Sequence, residues 1–157
     1  MKQHDSPTLN STFTSPTAIL VFFISDSPVN FYAYLSSETI SPSVNAPIVF
    51  NVVQEHTDSA YSKTTGVFTS PLNGTYYFTT GITGQTNVKT YAAITVRGQE
   101  VTSLFAFDDY QLSQSSASVV VKLYAGDEVV VVKRSGLHIY GSSKADHISY
   151  FMGMLLW

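Results

Sequence analysis

Polar and apolar side chains alternate at every second position through most of this chain, the period of a half-buried strand. Residues 29–35 place Val29, Phe31, Ala33 and Leu35 on one face. Residues 75–82 do the same with Tyr76, Phe78, Thr80 and Ile82. Residues 116–124 set Val119, Val121 and Leu123 against Ser118, Val120 and Lys122. Shorter strands are expected at 48–50, 66–70, 91–97 and 101–107. The stretch 128–134 is mostly valine, so burial on both faces is expected. Residues 148–157 close the chain with no formally charged side chain. Exposed, such a strand invites aggregation, so it is expected inside a sheet or against a neighbouring subunit.

Turn chemistry divides these runs. Pro71-Leu72-Asn73-Gly74 predicts a hairpin, because Asn-Gly tolerates positive φ. Ala125-Gly126-Asp127 predicts another turn. Heptads, Gly-X-Y repeats and amphipathic helical stretches do not occur. The expectation is an all-β domain, a jelly-roll β-sandwich of about eight to ten strands spanning residues 28–157. Residues 1–27 read as a flexible N-terminal arm or leader remnant, since residues 1–16 are rich in Ser, Thr and Pro. Their apolar run, 18–24, is far short of the ~20 residues that span a bilayer. It is borderline for a signal-peptide core, with Lys2 as the one preceding basic residue.

Composition narrows the partners. Hydrophobic residues make up 44% of the chain, charged ones 12%, and the net charge is −3. Lys133-Arg134 is the one adjacent basic pair. Nothing here supplies the electrostatic footprint of a nucleic-acid or anionic-lipid binder. Cysteine is absent, which excludes disulfides, thiolate metal sites and a Cys nucleophile.

Catalytic templates fail in turn. His4, His56, His138 and His147 have no metal-site spacing, and there is no GxSxG elbow or phosphate loop. Asp108-Asp109 and Asp127-Glu128 are adjacent pairs, whereas glycosidase carboxylates face each other across a substrate. Asp127 is expected to cap its own turn. The polar loop 107–118, rich in oxygens, is a candidate for a hard cation. Two glycosylation sequons begin at Asn10 and Asn73, and Asn73 already has a turn role. The loop 135–147 carries His138, Tyr140, Lys144, Asp146 and His147, candidate ligand contacts. There Tyr140 can stack on a sugar ring while Asp146 accepts hydroxyl bonds.

Several segments resemble the C1q globular-head domain of the C1q/tumour-necrosis-factor superfamily. Val29-Asn30-Phe31-Tyr32-Ala33 resembles its opening strand. The block from Thr65-Gly66-Val67-Phe68-Thr69 through Pro71 and Gly74 to Tyr76-Tyr77-Phe78 resembles the run TGxFTxPxxGxYYF. Ser116 to Leu123 with Gly126-Asp127-Glu128-Val129 resembles SxxxxLxxGDxV, and Phe151-Met152-Gly153-Met154-Leu155-Leu156 resembles the closing FxGxLL strand. The resemblance implies a ten-stranded jelly roll assembled as a homotrimer, a secreted and non-enzymatic recognition role, and the calcium that some members hold near the trimer apex. Asp109, Tyr110 and Gln114 match the positions that would hold the ion. Without Gly-X-Y repeats, the likeness is to head-only members, often lectin-like pattern-recognition molecules of innate immunity that bind glycans or surface proteins. A cytokine-like ligand that clusters a receptor is the alternative.

Overall fold

The computed structural model describes residues 29–36, 39–56, 59–141 and 147–157. Eleven strands run through them in chain order: β1 (Asn30–Tyr34), β2 (Thr39–Ile40), β3 (Val52–His56), β4 (Val67–Thr69), β5 (Gly74–Gly84), β6 (Thr90–Val96), β7 (Gln99–Ala106), β8 (Ser113–Leu123), β9 (Glu128–Ser135), β10 (Ile139–Tyr140) and β11 (Tyr150–Leu155). They form two antiparallel sheets. The larger has seven strands, ordered β2-β10-β5-β11-β1-β3, with β8 also paired to β5. The smaller is ordered β4-β9-β6-β7. This is the expected all-β jelly-roll sandwich. The residue arm 1–27 and the Asn10 sequon lie outside the described residues.

The alternation seen in the sequence is the alternation of burial. Val29, Phe31, Ala33 and Leu35 are buried, as are Tyr76, Phe78, Thr80 and Ile82. The core centres on aromatic rings. Phe31 stacks on Tyr61 at 4.8 Å and Phe68 at 5.3 Å, and meets Phe151 edge-on at 4.9 Å. Gly153 makes this cluster possible. A Cβ there would sit 2.5 Å from Phe78 and 2.6 Å from Phe31. The closing strand β11 lies between β5 and β1, inside the larger sheet.

Two expectations are corrected. Ile48 and Phe50 are buried, but residues 48–50 form no strand. The Ile48 N–H donates to the Val131 carbonyl, and the Tyr61 hydroxyl takes over at Phe50. That hydroxyl accepts from the Phe50 N–H at 3.0 Å and donates to the Phe50 carbonyl at 3.1 Å. A phenol thus satisfies the backbone groups a neighbouring strand would otherwise pair. Burial raises the Tyr61 pKa, outweighing the opposing effect of the Phe50 bond.

The segment 71–73 is not a hairpin turn either. It carries the chain from β4 in the smaller sheet to β5 in the larger one. Neither Asn73 nor Gly74 adopts positive φ. Instead, Asn73 Oδ1 accepts the Ala125 N–H at 2.8 Å, stitching the crossing to the next turn. The crossing brings Phe68 and Tyr76 into one core from opposite sheets, their rings edge-on at 5.7 Å.

Candidate functional site

The strands that line the core on one side leave their alternate positions on the open face of the larger sheet. Register aligns these into three rows across β1, β11, β5 and β8. The rows are Asn30–Met154–Tyr77–Val120, Tyr32–Met152–Thr79–Ser118 and Tyr34–Tyr150–Gly81–Ser116. No member is a formally charged residue; four are Tyr (Tyr32, Tyr34, Tyr77 and Tyr150) and two are Met. Tyr77 donates to Ser118 Oγ at 3.1 Å, and Ser118 donates to Thr79 Oγ1 at 2.8 Å, which fixes the polar members among themselves. Gly81 lets the Tyr150 ring lie close against β5, since a Cβ there would be 2.6 Å from it. A depression of about 320 Å³ is lined by Asn30, Tyr32, Met152 and Met154. Val120 is 56% exposed.

One end of this face is held by residues 147–149. Buried Ser149 donates to the Tyr140 carbonyl at 2.6 Å and accepts the Thr83 N–H at 3.0 Å. The Ile148 carbonyl accepts from Thr83 Oγ1 at 2.7 Å and Gln114 Nε2 at 2.6 Å. So anchored, His147 turns onto the open face. Its ring stacks on Tyr34 at 3.7 Å, and its Nδ1 shares a 3.0 Å hydrogen bond with the Tyr32 hydroxyl. Burial, then the neighbouring Tyr150 and Tyr34 hydroxyls, push the Tyr32 pKa up.

The residues singled out from sequence are therefore divided. His147 belongs with Tyr32 and Tyr34. Tyr140 sits on β10, paired with Thr39, and His138 is half-buried just before it. Lys144 and Asp146 lie outside the described residues. The open-face residues Tyr32, Tyr34, Tyr77, Met152 and Met154 were missed in the sequence. Their signal was present: they are the other half of each alternating strand.

The polar loop is shorter than expected, 107–112, because β8 already begins at Ser113. Asp108 spends its carboxylate on that loop, accepting the N–H groups of Tyr110 at 2.8 Å and Gln111 at 3.0 Å. Asp109 is exposed and Tyr110 is 93% exposed, while Gln114 sits on β8. Calcium takes six to eight oxygens, roughly. Asp109, Tyr110 and Gln114 fall short of that in one chain, and the described residues contain no group of three or more His, Asp or Glu suited to a metal. A cation held there would need donors from other copies.

The two amide bonds, Tyr110's foremost, hold the Asp108 carboxyl below its ordinary range. A lowered folded-state pKa stabilises above the ordinary carboxylate value and is lost as pH falls through the lowered one. Protection of the Tyr110 and Gln111 amides against hydrogen exchange should fade across that acidic window. Asp108→Ala should abolish the pH dependence. Protection that is the same at neutral and acid pH would sink this account.

Comparison with known proteins decides the family. A family profile described as "C1q domain" matches residues 30–156. The chain belongs to the C1q domain family. Complement C1q tumor necrosis factor-related protein 3 of Mus musculus is 31% identical over 117 residues, 72% of this chain and 46% of that protein. The chain spans about half or less of the length of the curated relatives it matches. The solved globular domain of zebrafish complement 1qA superposes with a TM-score of 0.68 at 20% identity, covering 83% of this chain and 98% of that one. The Eiger TNF structure from S. frugiperda superposes at 0.65 with 13% identity, covering 83% and 93%. These likenesses confirm the fold of a C1q domain. No helix among the described residues is long and apolar enough to cross a membrane.

Proposed function

We propose that this C1q-domain protein is a secreted, non-catalytic recognition molecule that works as a homotrimer and binds glycans on microbial or cell surfaces in innate immunity. The observation that carries this is the open face of the larger sheet. Three aligned rows of Tyr, Met, Thr and Ser without a charge suit burial against another copy better than permanent exposure. A face of this kind that contacts a different patch on the next copy closes into a ring when the rotation permits. Three copies then present three equal ligand sites, which multiplies affinity for a repetitive surface. His138, just before β10, and Tyr140, on it, stand as ligand contacts, and calcium shared by Asp109, Tyr110 and Gln114 of several copies is the ion such an assembly would take.

Light scattering at micromolar concentration should return three chain masses, and a glycan array should give signal above a denatured control. A single-chain mass together with a blank array would overturn the proposal. The names of the relatives favour one second reading, a ligand that clusters a cell-surface receptor. A membrane pull-down that recovers one receptor, insensitive to added sugars, would select it.

A further inference from the structure

The smaller sheet carries a second exposed apolar feature. On β7, Val101, Ser103 and Phe105 point outward, and Phe107 continues that face just past the strand. Tyr91 on β6 is the register partner of Phe105. Phe105 and Phe107 stand nearly parallel, 28° apart, with centroids 6.4 Å from each other. Tyr91 leans across Phe105 at 54° with centroids 5.1 Å apart. All three rings remain exposed, Tyr91 by 41%, Phe105 by 42% and Phe107 by 37%. The Lys89 ammonium lies 5.7 Å from the Phe107 centroid, and Lys89 is in no salt bridge among the described residues.

Area selects the occupant. An aromatic ring offers about 150–250 Å², so three rings two-fifths exposed present roughly 200–300 Å². A stable protein interface needs about 800 Å² from each partner. The strip is too small for a protein partner by itself and is on the scale of one or two sugar rings. A pyranose has one flat face of C–H groups and a rim of hydroxyls. The C–H face is complementary to electron-rich ring faces, and the rim seeks hydrogen-bond donors and acceptors. Lys89 supplies donors at one end of the strip, and the Tyr91 hydroxyl and Ser103 supply polar groups beside it.

We propose that Tyr91, Phe105 and Phe107 form a saccharide-binding platform that stacks a pyranose ring, with Lys89 donating to its oxygens. The proposal rests on the glycan reading of the function and moves its site away from loop 135–147. The platform lies on the sheet opposite the open face, so each copy of an assembly built on that face carries its own.

The test titrates the full chain with galactose, N-acetylglucosamine and N-acetylneuraminic acid, read by saturation-transfer NMR and calorimetry. The variants are Phe105→Ser, Tyr91→Ala and Lys89→Met. Lys89→Met keeps the stem and disturbs the fold least. Wild type is expected to bind at least one sugar, and each variant to weaken it tenfold or more at an unchanged melting temperature and assembly mass. Wild-type binding that all three variants retain would overturn the platform and leave the glycan reading standing. No sugar binding by wild type would overturn both. Loss of the assembly mass in Phe105→Ser would mark the strip as a contact between copies and overturn the platform.

Discussion

Phe31→Ala is expected to cost the domain about 3–5 kcal/mol, the range for removing a well-packed aromatic side chain from a core. Phe31 is one of the side chains that join the two sheets. It rises from β1 in the larger sheet, stacks on Tyr61 and on Phe68 of β4 in the smaller sheet, and meets Phe151 of β11 edge-on. Alanine leaves a cavity between the sheets and removes all of these ring contacts together. Domains of this kind have about 5–15 kcal/mol to lose. The loss should appear in chemical denaturation as a lower midpoint with an unchanged slope. Phe31→Leu should restore a large part of it. A loss below about 1 kcal/mol for Phe31→Ala would show that the rings are not a single packed unit.

Met152→Glu should dissolve the assembly and leave the fold intact. Met152 sits in the middle row of the open face, between Tyr32 and Thr79 on the flanking strands. In a single chain the new carboxylate stays in water, and surface substitutions of this kind change stability by about 0.5 kcal/mol or less. Between copies it would be buried without a partner, which costs several kcal/mol. The expected results are a single-chain mass and a loss of avidity on a multivalent surface of about 10²–10⁴-fold. The melting temperature of wild type should rise with protein concentration, and that of the variant should not. Val120→Lys, on the same face, should behave alike. An unchanged assembly mass in both variants would remove the open face as the contact between copies.

The two predictions draw on opposite halves of one pattern. In β1, the odd positions Phe31 and Ala33 enter the core and the even positions Tyr32 and Tyr34 meet the outside. The sequence makes that division plain because neighbouring side chains on a strand must point to opposite faces. It emphasised only the buried half. The outward half looked unremarkable one strand at a time, since an isolated exposed Tyr or Met signals nothing. Its meaning came from the register that lines up Tyr32, Met152, Thr79 and Ser118 across four strands.

Local signals misled where they had more than one use. Asn73-Gly74 carries the composition of a tight hairpin, yet Asn73 uses its side chain to cap the Ala125 N–H and the chain changes sheets. Turn chemistry states that the chain bends and leaves open which strand comes next to it. The run 48–50 has the apolar character of a strand, yet its backbone is satisfied by β9 and by the Tyr61 hydroxyl. The histidines of loop 135–147 look like neighbours in sequence. His147 instead bonds to Tyr32, 115 positions away.

The all-β class, the inward face of each main strand, the place of the closing strand inside a sheet and the membership suggested by the ordered motifs from Val29 to Leu156 were legible along the chain. All of these depend on the nature of each residue and its near neighbours. The tertiary structure decided which sheet each strand joins, the three uncharged rows of the open face, the placing of His147 on Tyr34, and the meeting of Tyr91 with Phe105. These depend on which strands pair and in what register. Pairing is set by the joint packing of distant side chains in one core, and no local stretch of the chain contains that information.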